Sequence, residues 1–153
     1  MINFDPIQAN LYLGSAPSTQ DDIASLKALK VTAVVCMQSD EDLVNRNIDW
    51  QELSAWYTES DIAYQRFAMQ DFNEAELAEK IEPAVAALDE FINAGHSVYV
   101  HCNSGIYRAP TTVLGYLCSV KEMSMADALR ELRIARPVVA PSKSAVELLL
   151  KKS

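Results

Sequence analysis

The stretch SVYVHCNSGIYRAP, residues 97–110, constrains the fold more than any other part of the chain. Its first four residues are typical of a buried strand, and a helical pattern begins near Ala109 and runs to about residue 120. A strand that leads within a few residues into a helix is typical of open α/β sheets. In such sheets, ligands bind at the carboxyl ends of strands, next to helix N-termini. The stretch therefore predicts an anion site between the strand and the helix.

The residue types in this connection indicate phosphate chemistry. Gly105 allows a tight or left-handed turn, and Arg108, six positions after Cys102, brings a planar fork that can bind two phosphate oxygens. A helix N-terminus and a guanidinium both favour the thiolate form of Cys102, which could then attack phosphorus in line. The predicted phosphate-binding residues are Asn103, Ser104, Gly105, Ile106, Tyr107 and Arg108. The alternative, with Cys102 a small buried apolar residue and Arg108 a surface residue, fits an isolated cysteine better than it fits this spacing.

The remaining sequence predicts one α/β domain over residues 1–153, with a mainly parallel central sheet flanked by helices. Strands are expected at an edge position over 10–14, and at 31–37, 62–69 and 97–100. A first helix is expected after a Ser18 cap, and a second within 38–60. A long helix is expected from an Asn73 cap to about Asn93, with Pro83 near the start of its main segment. Three further helices are expected at about 109–120, 125–135 and 142–151.

Composition excludes several classes of function. The net charge of −8 disfavours a nucleic-acid or anionic-membrane partner. Three unevenly spaced cysteines and two histidines predict no disulfide framework, no metal and no other cofactor. Since no stretch approaches membrane-spanning length or resembles a signal peptide, we expect a monomeric cytoplasmic protein in a reducing compartment.

HCNSGIYRAP resembles the H-C-x-x-G-x-x-R signature of cysteine-dependent protein-tyrosine and dual-specificity phosphatases. The stretches ANLYLGSAPS, VTAVVCM, QDF and ARPVVAPSKSAVELL also resemble dual-specificity family members. The resemblance implies a dual-specificity phosphatase-like fold with a P-loop between strand and helix. It also implies a phosphomonoester hydrolase that acts on phosphotyrosine, phosphoserine or phosphothreonine proteins in two steps, through a phospho-cysteine and without metal.

Such a reaction needs a proton donor for the leaving oxygen. Asp71, in QDF, matches the general-acid loop of the family, whereas Asp61 precedes a strand and Glu74 and Glu76 open the next helix. His101 is either a core histidine or, as the resemblance implies, a supporting residue that holds the loop and tunes the thiol.

Three other positions carry alternatives. Ala109 lies where the family commonly has Ser or Thr, which implies slower breakdown of the phosphoenzyme. Tyr107 lies where Gly is frequent, so its ring narrows the pocket mouth, stacks on a substrate ring or packs on a neighbouring helix. Ser142 is either a family-type polar residue or only the cap of the last helix.

The stretches VVCMQSDEDL, QDF and RAP are particularly similar to the plant glucan phosphatases, so phosphoglucan is an alternative substrate. Phe72 matches that branch, but Val44 and Asn45 stand where it carries aromatic residues. The aromatic residues of the region 50–57 are either sugar platforms or core: Trp50, Trp56 and Tyr57. More distant alternatives are a rhodanese-like sulfurtransferase and an inactive phospho-binding module, which the Asp71 loop and the complete signature disfavour.

Cys36 ends the strand predicted at 31–37, whose carboxyl end we expect near that of the Cys102 strand. One hypothesis is that Cys36 traps oxidised Cys102 as a reversible disulfide; the alternative is a buried strand cysteine. Cys118 is expected in the core.

Overall fold

A computed structural model describes residues 1–152, and its centre is a five-stranded sheet in the order β1-β2-β5-β3-β4. The strands are β1 (Phe4–Gln8), β2 (Leu11–Gly14), β3 (Ala33–Cys36), β4 (Ala63–Arg66) and β5 (Val98–His101). Among the strand pairs of the described residues, β1–β2 alone is antiparallel. The predicted α/β class with a mainly parallel sheet is confirmed.

The N-terminal hairpin departs from the prediction. The strand predicted as an edge at 10–14 is β2, which lies between β1 and β5, and the true edge strand β1 was missed. Asp5 and Pro6 disguise β1, because both residues are depleted in strands. An edge position tolerates Pro6, since a proline has no N–H to donate to a neighbouring strand.

Seven helices cover the two faces of the sheet within the described part of the chain. They are α1 (Gln20–Ala28), α2 (Asp40–Asn45), α3 (Trp50–Glu59), α4 (Glu74–Asn93), α5 (Arg108–Ser119), α6 (Met125–Ala135) and α7 (Lys143–Lys151). Strand residues alternate between the faces: Val34 and Tyr99 join the cluster with α1 and α3, whereas Val35 and Val100 join the cluster with α4 to α7. Of the three aromatic residues predicted as platforms or core, Tyr57 is buried in the α1–α3 cluster, and Trp50 and Trp56 are half-buried against it.

Two predictions in the first half of the chain are wrong in detail. The N-cap of α1 is Thr19 rather than Ser18, and it forms a capping box with Asp22. The single helix expected within 38–60 is two helices, because Asn47 takes a left-handed conformation (φ 55°) and Asp49 caps a new helix start.

The later helices follow the prediction closely. Asn73 caps α4, Ser124 caps α6 and Ser142 caps α7. Pro83, expected near a helix start, instead lies inside the continuous helix α4. None of the helices in residues 1–152 is long and apolar enough to cross a membrane.

The parallel pairing decides which loops can share a site. β3 pairs in parallel with both β4 and β5, so the segments that follow these three strands leave the same edge of the sheet. These segments lead into α2, α4 and α5 respectively. The carboxyl edge of the sheet therefore brings together three stretches that are far apart in sequence.

Candidate active site

The P-loop (residues 102–108) connects β5 to α5, and its carbonyl groups have partners outside the loop. Asn103 O accepts from Ala16 N, Ile106 O accepts from Ala140 N, and the Ser104 and Gly105 carbonyls accept from Arg136. Because C=O and the following N–H point in opposite directions across a trans peptide, outward carbonyls turn the next amides inward. The loop thus has the amide arrangement of an anion-binding nest.

Gly105 has the backbone conformation expected for it, with φ 72°. A Cβ atom at this position would lie 2.6 Å from Gly14 O and 2.9 Å from a terminal nitrogen of Arg136. Both the left-handed conformation and the lack of space therefore require glycine.

Cys102 lies at the bottom of this loop, with only 2% of its surface exposed. Its Sγ accepts a hydrogen bond from Ala109 N at 3.5 Å, in the first turn of α5. Helix N-terminal amides carry partial positive charge, so this contact favours a sulfur that carries negative charge.

Arg108 is fully buried, and the nitrogens of its guanidinium group differ in their hydrogen-bond partners. Nη1 lies within hydrogen-bonding distance of Met37 O (3.2 Å), Met69 O (2.8 Å) and the Asp42 carboxylate (2.6 Å). Nε and Nη2 have no hydrogen-bond partner in the described chain. A buried pair of donors on one edge of a guanidinium is the arrangement that a phosphate or carboxylate satisfies.

Asp42, in the first turn of α2, is a site residue that the sequence analysis missed. Its carboxylate accepts from Arg108 Nη1 and from Asn103 Nδ2, and it also closes a capping box with Ser39. Burial would raise the pKa of Asp42, but the hydrogen bonds from Arg108, Ser39 and Asn103 outweigh it and lower that pKa to about 2. The carboxylate is therefore charged at neutral pH and holds both Arg108 and the P-loop.

The missed residue had one sequence signal. QSDEDL fits a helix start, in which Ser39 caps and an acidic residue three positions later completes the box. Nothing local distinguishes an Asp42 that only caps from one that also binds an arginine 66 positions away. Gln38 extends the same network, since its Nε2 donates to Asn103 Oδ1 at 2.9 Å.

Arg136, just after α6, is a second residue that was missed. Its side chain is 4% exposed, pairs with Asp5 at 2.9 Å, and donates to Asn3 Oδ1 and to the Ser104 and Gly105 carbonyls. It fixes the outer side of the P-loop to strand β1. The only signal was a charged residue in the apolar run IARPVVA.

Asp71 lies in the acid loop (residues 70–73) between β4 and α4. Its Oδ1 is 3.4 Å from Arg108 Nε, and a third of its side chain is exposed. The competing carboxylates are engaged elsewhere: Glu76 accepts from Gln70 N, and Glu74 accepts hydrogen bonds from Ser142 and Ser144, which lower its pKa. The structure therefore brings Asp71 to the P-loop. Ser142 both caps α7 and binds Glu74 at the end of the acid loop.

His101 precedes the P-loop and is completely buried. Its Nδ1 is 2.9 Å from Cys102 O, and its Nε2 has no partner in the described residues. Burial, with a smaller contribution from Arg108, lowers the pKa of the imidazole to about 4. His101 is therefore neutral at physiological pH, and its ring contacts the backbone of the Cys102 residue.

Tyr107 packs against the core cluster formed with α4 to α7, and its ring also stacks on Phe72 of the acid loop, a contact that the sequence did not indicate. The ring centroids are 5.2 Å apart and the planes are inclined by 24°. Phe72 is 78% exposed and has a left-handed backbone (φ 57°). The two loops that flank Arg108 therefore touch through this aromatic pair.

The other cysteines are buried and free. Cys36 is the register partner of His101 on the neighbouring strand, one residue from Cys102, and burial raises its thiol pKa to about 12. Cys118 packs in the main core, as predicted. Among residues 1–152, no three His, Cys, Asp or Glu side chains are grouped as metal ligands.

This site agrees with the comparison to known families. The family description "Dual specificity phosphatase, catalytic domain" matches residues 11–153. The chain belongs to the dual-specificity phosphatase family. This membership supports the cysteine-dependent phosphatase class and gives no support to a sulfurtransferase.

Individual relatives point to more than one substrate class. The chain is 30% identical over 97% of its length to "Phosphoglucan phosphatase DSP4, amyloplastic" of Castanea sativa. It is 27% identical over 92% of its length to the human "Dual specificity protein phosphatase 1". It spans 41% of the first protein and 34% of the second. The similarity to both branches that the sequence suggested is confirmed.

A solved structure supports the fold independently. The active form of Tk-PTP superposes with a TM-score of 0.79, covering 97% of this chain and 94% of that one, at 20% identity. At this identity the likeness concerns the fold alone.

Proposed function

We propose that this protein hydrolyses phosphomonoesters through a phosphorylated Cys102. The observation that carries the proposal is the buried edge of Arg108, Nε and Nη2, which has no hydrogen-bond partner among the described residues, beside the loop that holds the Cys102 sulfur. Such an arrangement would bind the equatorial oxygens of a phosphoryl group and place the sulfur opposite the leaving oxygen.

In the first step, the Cys102 thiolate attacks phosphorus and the bond to the ester oxygen breaks. Asp71 gives its proton to that oxygen, which leaves as an alcohol or phenol. Asp71 lies 3.4 Å from Arg108 Nε, so a phosphate oxygen that binds Nε would compete with the carboxylate and direct it towards the leaving group.

In the second step, water attacks phosphorus and gives a proton to Asp71. The S–P bond breaks, so inorganic phosphate leaves and the Cys102 thiolate is restored. Ala109 offers only its backbone N–H to the sulfur, at 3.5 Å, and has no hydroxyl to assist the departing thiolate. We therefore expect phosphoenzyme breakdown to limit turnover with good substrates.

Asp42 and His101 support these steps without touching the substrate. Asp42 holds Nη1 of Arg108, which leaves the other edge of the guanidinium for phosphate. His101, neutral because burial lowers its pKa to about 4, fixes the backbone of Cys102 through its carbonyl.

Phosphorylated proteins are the substrate class that we propose first, and phosphoglucan is the second candidate. The specific observation in favour of glucan is the exposed Phe72 ring beside Asp71, together with the similarity to a phosphoglucan phosphatase. Against it, Val44, where that branch carries an aromatic residue, is an exposed aliphatic residue.

Composition bears on the compartment and the partners of the protein. We propose a single catalytic domain over residues 1–153 that works as a monomer in a reducing compartment such as the cytoplasm and without nucleic-acid or membrane partners. The net charge of −8 supports the absence of nucleic-acid and anionic-membrane partners, and the three free cysteines support a reducing compartment.

A substrate panel tests the proposal. It comprises para-nitrophenyl phosphate, phosphotyrosine, phosphoserine and phosphothreonine peptides, phosphoinositides and phosphoglucan, measured with the wild type, Cys102→Ser and Asp71→Ala. We expect Cys102→Ser to bind substrate without turnover, and Asp71→Ala to lose most activity with alkyl leaving groups. Full activity of Cys102→Ser would refute the mechanism, while the preferred substrate decides between protein and glucan.

A further inference from the structure

The acid loop is the least constrained part of the site, although it carries the proposed proton donor. Asp71 has no hydrogen bond within residues 1–152, and its one ionic contact is the 3.4 Å approach to Arg108 Nε. The next residue, Phe72, holds a left-handed backbone that bulky side chains rarely adopt. A conformation of this kind persists only where its surroundings enforce it.

The Phe72 ring is in stacking contact with a fixed partner. Tyr107, on which it stacks, precedes α5, and its carbonyl accepts from both the backbone N–H and the hydroxyl of Thr111. Tyr107 also packs against the core cluster formed with α4 to α7. Most of the Phe72 side chain is exposed, so burial in a core does not hold it in place.

The ends of the acid loop are anchored separately from its middle. Gln70 N donates to Glu76, Asn73 caps α4, and Glu74 is bound by Ser142 and Ser144. These contacts fix the ends at residues 70 and 73–74, whereas the two middle residues are held by the ring stack and by the approach of Asp71 to Arg108 Nε.

We propose that the Phe72–Tyr107 stack is a latch that positions Asp71 over the P-loop, so that Phe72 and Tyr107 are positioning residues for proton donation. This inference rests on the proposed phosphatase function and concerns only its acid step. Tyr107, which replaces a residue that is often glycine in the signature, then has a specific task in this chain.

The latch predicts a dependence on the leaving group. Departure of phenol requires a proton, whereas 2,4-dinitrophenolate leaves without one, so only phenyl phosphate senses where Asp71 lies. The parameter to measure is kcat/KM, because it includes the steps up to phosphoenzyme formation and excludes its breakdown. Phe72→Leu and Tyr107→Leu should each lower kcat/KM by up to about tenfold for phenyl phosphate, the scale of one lost aromatic pair. Phe72→Leu, which lies outside the P-loop, should leave 2,4-dinitrophenyl phosphate almost unchanged, and Tyr107→Leu should affect phenyl phosphate more than 2,4-dinitrophenyl phosphate.

Matched variants isolate the ring contact. Phe72→Tyr keeps both rings and should retain wild-type leaving-group dependence. The double variant Phe72→Leu/Tyr107→Leu should lose no more than either single variant, since each change already breaks the stack. In an Asp71→Asn background, Phe72→Leu should have no further effect.

The outcomes separate this inference from competing ones. Equal losses with both esters, or a further loss in the Asp71→Asn background, would overturn the latch and assign the rings to substrate binding or to P-loop structure. A Phe72→Leu protein indistinguishable from wild type with phenyl phosphate would overturn it as well. Failure of the phosphatase proposal has a different signature, because the wild type would then hydrolyse neither ester or Cys102→Ser would hydrolyse both.

Discussion

The P-loop and the acid loop lie against the same guanidinium but are held in different ways. Four successive P-loop carbonyls accept hydrogen bonds from outside the loop, and two of these bonds come from the buried Arg136. The acid loop is anchored at its ends, and its middle is held only by one ring stack and by the 3.4 Å approach of Asp71 to Arg108 Nε among the described residues. An anion cradle gains from rigidity, whereas a proton donor must approach, release and reverse its role, and the two kinds of support match these tasks.

The largest effect should come from removing the acid itself. Asp71→Asn should lower kcat/KM for phenyl phosphate by about 10²- to 10⁴-fold, with little loss for 2,4-dinitrophenyl phosphate. Asp61→Asn, beyond the other end of β4, is the control and should behave as wild type. Equal loss with both esters would show that Asp71 binds phosphate or maintains structure, which would erase the functional difference between the two loops.

A substitution that disturbs the P-loop should lower activity equally for substrates with good and with poor leaving groups. Asp42→Asn removes the carboxylate that holds Arg108 Nη1 and Asn103, so kcat/KM should fall on the order of a hundredfold with both esters. The free energy of unfolding should fall by about 2 kcal/mol, because a buried arginine loses a charged partner.

Asp40→Asn is the matched control on the same helix. Asp40 pairs with Arg66, but its side chain is 87% exposed, so we expect a stability change below about 0.5 kcal/mol and unchanged activity. If Asp42→Asn changed activity and stability as little as Asp40→Asn, the phosphate-binding function of the P-loop would not depend on the Asp42 carboxylate.

The base of the P-loop should respond to pH through His101. Burial lowers its folded-state pKa from 6.5 to about 4, so the unfolded chain binds the proton more readily. The stability from neutral His101 is fully present above pH 6.5 and is lost as pH falls towards 4, by roughly 3 kcal/mol in all. Denaturant unfolding of wild type and His101→Asn at several pH values would measure this loss.

The slope between pH 6.5 and 4 should be shallower in His101→Asn than in the wild type. An identical slope in the two proteins would mean that His101 is not the group that makes folding acid-sensitive.

The smallest effect concerns oxidation. Cys36 is in register with His101, but burial raises its pKa to about 12, and a thiolate is the form that traps a sulfenic acid. We therefore predict slow formation of a Cys36–Cys102 disulfide after peroxide treatment, detectable by peptide mass spectrometry and reversed by reductant. Cys118→Ser should not change it. Irreversible inactivation without such a link would leave Cys36 as a buried strand residue.

The parts of the site that could be predicted are those whose signals are contiguous. A strand, a turn requiring glycine and a helix start follow one another at residues 98–108, so the P-loop could be read from local rules and from its resemblance to a family. Asp71 was predicted from the resemblance of QDF to the acid loop of the family, because a carboxylate in a polar loop is by itself usually only solvated. Asp42 and Arg136 were not, because their local patterns are ordinary and their partners lie in other elements.

The Tyr107 stack and strand β1 illustrate the same limit. An unusual residue at position 107 was visible in the sequence, but its partner at position 72 depends on how two loops meet at one sheet edge. β1 carries residues that local propensity assigns to a turn, and its pairing with β2 overrides that propensity.

The most direct test of the account is to trap the intermediate. Wild-type protein mixed with 2,4-dinitrophenyl phosphate and quenched in acid should carry one phosphoryl group on Cys102, identified by peptide mass spectrometry. Ala109→Ser should lower the trapped fraction by speeding its breakdown. The absence of any phosphoenzyme at the earliest quench times, together with hydrolysis by Cys102→Ser, would contradict the phospho-cysteine mechanism.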